Sequence, residues 1–242
     1  MSRLRRASAA LLAALCAHGA LAALPQDVER DDVAAVRRAI EAKEATPDAR
    51  ASGVGYADPG IPILALAARA GAVRVVRLLV SLKADLNAAT PAGETALMLA
   101  SYAPVEPGEP PSAAHFEIVR ILAEAGAALE NPGRLTAVSY AAYAGNAGTL
   151  RYLLDRGASP DGGVVEGPSA PPTPLAMAVM QGRGPAVRLL LERGANPRAK
   201  GSAGEDALAL ARRYNRADLV PALECAAALG PERRFAESCA GR

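Results

Sequence analysis

The chain has 242 residues, 51% of them hydrophobic and 3% aromatic, with 22 Gly, 19 Pro, 3 Cys and no Trp. That length suits one domain or two small ones and is ample to bury a core. An apolar fraction this high with 21% charged residues excludes disorder, and Gly and Pro without a period exclude a collagen-like chain. The formal charge is +2, Arg outnumbers Lys by 24 to 3, and about a quarter of the residues are alanine. The core must therefore be built from Leu, Val, Ile and Ala. These suit closely packed helices better than a β-sandwich, which draws on β-branched and aromatic side chains.

The N-terminus reads as a targeting segment. Arg3, Arg5 and Arg6 precede an uncharged apolar run from Ala7 to Ala17, and Ala20-Leu21-Ala22 offers small residues where a signal peptidase reads them. A basic start, a short apolar stretch and a small-x-small end predict a secretory signal peptide over 1–22, cut near Ala22. The alternatives are a retained anchor helix, since Ala7 to Leu24 just reaches bilayer length, and a lipoprotein signal at Cys16. Leu15 stands before Cys16 where a lipoprotein signal wants Gly, Ala or Ser. Cleavage removes three arginines and no acid, so the charge falls from +2 to −1. The basic balance then belongs to the discarded segment. Nucleic acid and anionic membrane surfaces lose their support as partners, and stable membrane insertion is not expected after cleavage.

From Leu24 to Leu223 a repeat organises the chain, and repeats are sought before anything else. Leu64 is followed fifteen residues later by Leu79, Val138 by Leu153, Leu175 by Leu190 and Leu208 by Leu223. Leu97 pairs with Leu122 at twenty-five, across a Pro-rich insertion Pro104-Val105-Glu106-Pro107-Gly108-Glu109-Pro110-Pro111 that reads as a spacer. Leu64 to Leu97 and Leu175 to Leu208 are both 33 residues, and the longer steps of 41 and 37 fall in Gly/Pro-rich stretches. Each unit reads as two short helices. The first is rich in Ala and ends in Gly (Gly71, Gly145, Gly182). The second carries Val, Leu and Ile on a wide face, as in Val75, Val76, Leu78 and Leu79. Thr95, Thr136 and Thr173 stand as N-caps. Two such helices cannot bury their apolar faces alone, whereas stacked neighbours can.

Gly93-Glu94-Thr95-Ala96-Leu97, Thr173-Pro174-Leu175, Leu190-Leu191-Glu192-Arg193-Gly194-Ala195-Asn196-Pro197 and Ala84-Asp85-Leu86-Asn87 resemble the ankyrin repeat, over nearly the whole chain after residue 22. The resemblance implies an all-α solenoid: helix–turn–helix units joined by protruding β-hairpin-like loops and stacked in a curved array. About five repeats are expected over 23–223. The units lie near 24–50, 60–87, 93–129, 134–161 and 173–198, with a capping unit at 204–223, the first or last degenerate. The family's His after the Leu is here Ala65, Met98, Ser139, Ala176 or Ala209, and its Thr is Pro62 in one unit and Asp206 in the last. These turns are therefore expected to be less rigid. A C-terminal tail, 224–242, holds Cys225 and Cys239, which are expected to pair in a secreted protein; the alternative is two free thiols.

Catalytic patterns are missing. With His18 gone, any histidine-dependent site must use His115, which reads as structural at the start of a second helix. No GxSxG, GxxxxGKS, HExxH or Cys/His cluster occurs, and no CxxC redox pair. Asp161-Gly162-Gly163 and Gly53-Val54-Gly55 are turn signals, and Asp31-Asp32 reads as helix capping. No enzyme activity, cofactor or metal is expected.

What remains is a binding surface for another protein. In ankyrin arrays partners contact the loop tips and the exposed face of the first helices. The face positions that follow from the register are Arg69/Ala70, Tyr102/Ala103, Tyr143/Ala144, Met180/Gln181 and Arg213/Tyr214. Arg and Tyr are enriched at interface hot spots. Tyr140 has two readings, a partner contact or a ring packed between repeats with its hydroxyl at the edge. The Gly/Pro-rich loops at 44–60 and 159–172 are further candidates. The expected setting is the bacterial periplasm or the secreted fraction. Within it the roles of inhibitor or immunity protein for a toxic effector, accessory protein in envelope oxidative-stress defence, and secreted effector acting in a host stay open.

Overall fold

A computed structural model of the chain describes residues 23–51, 60–103, 112–131, 134–163, 171–201, 204–229 and 235–239. The expected signal peptide lies outside these residues. So do the insertion at 104–111 and the centres of the loops at 44–60 and 159–172.

Helices come in pairs. They are α1 (23–29) with α2 (Val33–Glu41), α3 (Ile63–Ala70) with α4 (Val73–Ser81), and α5 (Ala96–Ser101) with α6 (Ala113–Glu124). Then follow α7 (Ala137–Ala144) with α8 (Ala147–Asp155), α9 (Pro174–Met180) with α10 (Gly184–Glu192), and α11 (Ala207–Arg213) with α12 (Val220–Ala228). The described residues thus form six pairs, because both terminal units, one of them expected to be degenerate, are helical. First helices stack on one another in the order α3, α5, α7, α9, α11, and second helices in the order α2, α4, α6, α8, α10. The result is a two-layer, all-α repeat solenoid.

Side-chain size explains the two layers. Ala67, Ala68, Ala100, Ala141, Ala142, Ala178 and Ala211 on the first helices are fully buried. Such small residues let neighbouring helix axes approach at the short end of their range. The second helices contribute the bulk: Leu79, Leu122, Leu153, Leu190 and Leu223, the later members of the spaced pairs, are all 0% exposed. Leu208 is half-buried, as expected in the last unit, where no further first helix covers it.

Local signals set the helix ends. Thr95, Thr136 and Thr173 each accept the N–H three residues on, from Met98, Ser139 and Ala176. Asp206 does the same for Ala209 at 2.8 Å, so the last unit keeps its cap despite lacking Thr. Pro62 provides no side-chain cap. Two residues at the family's His position take over part of its work. Ser139 Oγ accepts the Thr136 N–H at 3.2 Å, and Met98 Sδ accepts the Thr95 N–H at 3.4 Å. Gly71 and Gly145 close α3 and α7 in the left-handed region, φ 75° and 79°, where a Cβ costs about 1 kcal/mol or more. Asp31 occupies the matching turn of the first pair at φ 55°.

The hairpin-like loops are modest. Among the described residues one two-stranded ladder forms, β1 (Arg50–Ala51) antiparallel to β2 (Ile61–Pro62), with Arg50 opposite Pro62 and Ala51 opposite Ile61. The other described loops are turns. At the far end α13 (Phe235–Ser238) packs on α10 and α12 and buries Phe235. Cys225 and Cys239 form a disulfide, with Cα atoms 6.0 Å apart, that ties α13 to α12. The tail therefore covers apolar surface that the last repeat would otherwise expose.

Leu79→Ala or Leu190→Ala should each cost about 2–5 kcal/mol in chemical denaturation, since each leaves a cavity in a fully buried layer; a cost near zero would contradict the stacking register. Replacing both Cys225 and Cys239 by Ser should lower stability by about 3 kcal/mol in the chain-entropy model. Dithiothreitol should reproduce that loss in the parent chain and leave the double variant unchanged.

Candidate functional site: the first-helix face and its loops

The face positions are held by their own backbone. His115, at the start of α6, places Nε2 3.1 Å from the carbonyl oxygen of Arg69 and Nδ1 2.8 Å from Ser112 Oγ. A carbonyl can only accept, so Nε2 carries a proton. Arg183 donates from Nε to the Tyr143 carbonyl at 3.4 Å, and Arg216 from Nη2 to the Met180 carbonyl at 2.9 Å. In three junctions a side chain at or just before the start of a second helix thus reaches back to the last turn of the first helix of the previous unit. The orphan carbonyls of a helix C-terminus are satisfied this way. His115 is committed to such a junction, as its sequence position suggested.

Asp31 performs the reciprocal task. Its carboxylate accepts the N–H of Val75 at 2.7 Å, the N–H of Arg74 at 3.3 Å and Arg74 Nε at 2.9 Å. It therefore caps α4, whose own N-cap position, Ala72, has no side chain able to do so. Asp32 caps α2 through the Ala35 N–H at 3.0 Å. Both acids are caps, one of them for the neighbouring unit.

The loops are stitched in the same fashion. Asp48 accepts the Asp85 N–H, Asn87 that of Ala128, Glu130 that of Ser159 and Asp161 that of Asn196, at 2.7–2.9 Å. One loop's acid or amide holds the next loop's backbone. Between the stretches 87–95 and 128–137 lies an open cleft of about 510 Å³, on a stretch of loop that sequence reasoning did not single out.

The tyrosines gather in the middle of the array. Tyr102 follows α5, while Tyr140 and Tyr143 lie on α7. The Tyr102 ring centroid is 5.9 Å from those of both, edge-on to Tyr140 and tilted by 32° to Tyr143. With Leu135 and Met177 they line a slot of about 200 Å³. Tyr102 is 44% exposed, Tyr143 and Tyr140 are half-buried, and Ala103 and Ala144, predicted on the same face, are buried instead. The Tyr140 ring lines the slot while its hydroxyl donates to Glu94 Oε1 at 2.6 Å. Burial, then the hydrogen bond to Glu94, push the Tyr140 phenol well above its ordinary pKa, so it stays a donor.

The remaining candidates lie on neighbouring elements. Arg69 is exposed and pairs with Glu29 at 3.9 Å. Met180 and Gln181 are half-buried at the end of α9. Arg213 pairs with Glu205 and lies 5.7 Å from the centroid of the Tyr214 ring, which is 43% exposed. Pairs this exposed contribute little stability. Sequence reasoning missed Glu94, Leu135 and Met177 as site residues. The Gly-Glu-Thr signal was visible at Glu94, but its contact with Tyr140 spans 46 positions.

Among the described residues no group of three or more His, Cys, Asp or Glu is placed to hold a metal ion, and no helix is long and apolar enough to cross a membrane. A family model described as Ankyrin repeat matches residues 60–91 and 173–202, the α3–α4 and α9–α10 units. The chain thus carries ankyrin repeats at these two units. No curated protein matches it. Ankyrin repeats mediate protein–protein interaction.

Asp161 offers a test of the loop ladder. Burial raises its carboxyl pKa and the Asn196 N–H partly opposes that. A raised carboxyl pKa means the folded state binds the proton more tightly than the unfolded one. Its contribution to stability is present below the ordinary carboxylate pKa and is lost as pH rises through the raised value. Asp161→Asn keeps an oxygen for Asn196 and removes the charge. The variant should be more stable than the parent at about pH 7, with the gap closing below about pH 3. A destabilised variant at neutral pH would show that the charge-assisted hydrogen bond outweighs desolvation.

Proposed function

We propose that this chain is a non-enzymatic binding module of the bacterial periplasm that engages another protein through its first-helix face and adjoining loops. The observation that carries the reading is the cluster Tyr102, Tyr140 and Tyr143: three of the six tyrosines of an aromatic-poor chain meet in one partly exposed slot. Tyrosine supplies large contact area at low conformational entropy and is enriched at hot spots. Arg69 on one side, and Met180, Gln181, Arg213 and Tyr214 on the other, extend the surface along successive first helices. The periplasmic setting is supported by the basic, apolar and small-residue pattern of 1–22 and by the Cys225–Cys239 pair, since disulfides persist in oxidising compartments. Inhibition of a toxic effector, envelope stress defence and action in a host are all roles that such a surface serves.

The test is paired affinity capture from periplasm with the purified chain and its Tyr102→Ala/Tyr143→Ala variant, read by mass spectrometry. A specific partner should be captured by the parent and lost in the variant, each truncation weakening binding by about 1–2 kcal/mol or more. The melting temperature should hardly move, because Tyr102 projects from the core. Lost stability with intact capture would make these rings structural and sink the reading.

A further inference from the structure

The acids of the first-helix face are not treated alike. Glu29 is paired with Arg69, and Glu205 with Arg213. Glu94, at the head of α5, is half-buried and has no ion pair among the described residues. Its oxygens are held by hydroxyls: Oε1 by Tyr140 at 2.6 Å, and Oε2 by Thr90 at 3.4 Å. The guanidinium of Arg134 lies against the neighbouring Gly93, yet forms no ion pair with Glu94. Among the described residues both carboxylate oxygens of Glu94 are thus held by neutral donors and not by a cation.

That charge sits behind aromatic rings. Tyr140 is joined to Glu94 through its hydroxyl and lines the same slot as Tyr102 and Tyr143, with Leu135 and Met177 as apolar walls. The face of an aromatic ring carries negative potential and attracts a cation within about 6 Å of its centroid. A hydroxyl donating to a carboxylate makes the ring still richer in electrons. The Tyr102 ring, 5.9 Å from each of the other two, the apolar walls and a carboxylate bonded to Tyr140 that makes no ion pair among the described residues together fit a group that is positively charged at one end and aliphatic along its stem.

We infer that the Tyr102–Tyr140–Tyr143 slot receives the basic side chain, lysine or arginine, of the bound partner. Its methylenes lie on Leu135 and Met177, its charge lies over the tyrosine rings, and Glu94 supplies the opposite charge. This rests on the reading that the partner meets the first-helix face, and it adds the chemistry of the group recognised. The slot's dimensions agree: about 200 Å³ admits one side chain and excludes a folded element.

The inference is tested on the slot itself with tetramethylammonium chloride as the probe and tert-butyl alcohol, a neutral molecule of the same shape and heavy-atom count, as the control. Both are titrated into the purified chain with ring-labelled tyrosine at constant ionic strength. The tetramethylammonium ion should shift the Tyr102, Tyr140 and Tyr143 ring signals saturably, and the alcohol should not. Glu94→Gln, which keeps an oxygen for the Tyr140 hydroxyl, should weaken the ion about three-fold or more; Tyr102→Ala should abolish it. Equal response to alcohol and ion would overturn the inference without any variant having to fold, as would an unchanged affinity in Glu94→Gln. Its failure is distinguishable from failure of the partner reading. Capture lost with the tyrosines but indifferent to Glu94→Gln keeps the face and removes the cation. Ion binding in the slot with capture indifferent to the tyrosines removes the face as the partner's surface.

Discussion

Each helix pair leaves an apolar surface that it cannot cover by itself, and everything else in the molecule follows from having to cover it with the next pair. A unit of two short helices, most of six to nine residues, is too small to form a core. Burial is complete only between units, where Leu79, Leu122, Leu153 and Leu190 meet their neighbours. The two ends use different means. At the N-terminal end Leu24 and Val28 of α1 are buried against the array. At the C-terminal end α12 is followed by α13, held down by Phe235 and the Cys225–Cys239 bond. A tail that reads in sequence as an appendage is in this sense the final layer of the stack.

Stacking alone leaves helix ends unsatisfied, and the chain satisfies them across units as well as within them. Asp31 caps α4; His115, Arg183 and Arg216 reach the carbonyl ends of α3, α7 and α9; Asp48, Asn87, Glu130 and Asp161 hold the loops. The choice between a local and a remote cap follows what the local residue can do. Where Thr95, Thr136, Thr173 or Asp206 opens a helix, capping is local. Where Ala72 opens one, the cap comes from the previous unit. Asp31 accepts a left-handed backbone, which costs about 1–2 kcal/mol for a residue with a Cβ. Its carboxylate receives three N–H donors in return. Such charge-assisted bonds contribute more than neutral ones, so the strained turn is retained.

The sequence shows clearly whatever repeats within a unit. The fifteen-residue step between paired apolar residues locates both helices, the glycines end the first of them, and the threonines start three of them. Partner residues across units do not repeat in that way. Asp31 with Val75 spans 44 positions, His115 with Arg69 spans 46, and Glu130 with Ser159 spans 29. Unequal insertions between units make these separations irregular, so no fixed spacing announces them. The same limit applies to the candidate site. Tyr102 and Tyr143 were legible because the register puts both at the end of a first helix. Leu135 and Met177 come from a helix approach and the next unit, and only stacking brings them to one slot, with Glu94 joined to it through the Tyr140 hydroxyl. Ala103 and Ala144 mark the opposite limit: the register placed them on the exposed face, and both are buried.

The alanine content that builds the first-helix layer also decides where recognition chemistry can sit. On the second helices Tyr152 pairs with Phe116, ring centroids 5.7 Å apart; first helices that approach closely through Ala have no room for rings between them, so their tyrosines are expelled to the helix ends. Tyr102, Tyr143 and Tyr214 stand there, and Tyr140 stays partly inside because Glu94 gives its hydroxyl a partner. The low aromatic content is therefore a condition of the fold, while the positions left open to aromatics coincide with the surface that stacking leaves unpaired. The outer face of the second helices carries charged pairs such as Arg77 with Glu117 and Arg193 with Asp155, whereas on the first-helix side the Tyr102 ring lies within 6 Å of both Tyr140 and Tyr143 across two units. The packing rule that makes the solenoid thus concentrates the side chains best suited to hold a partner on a single face.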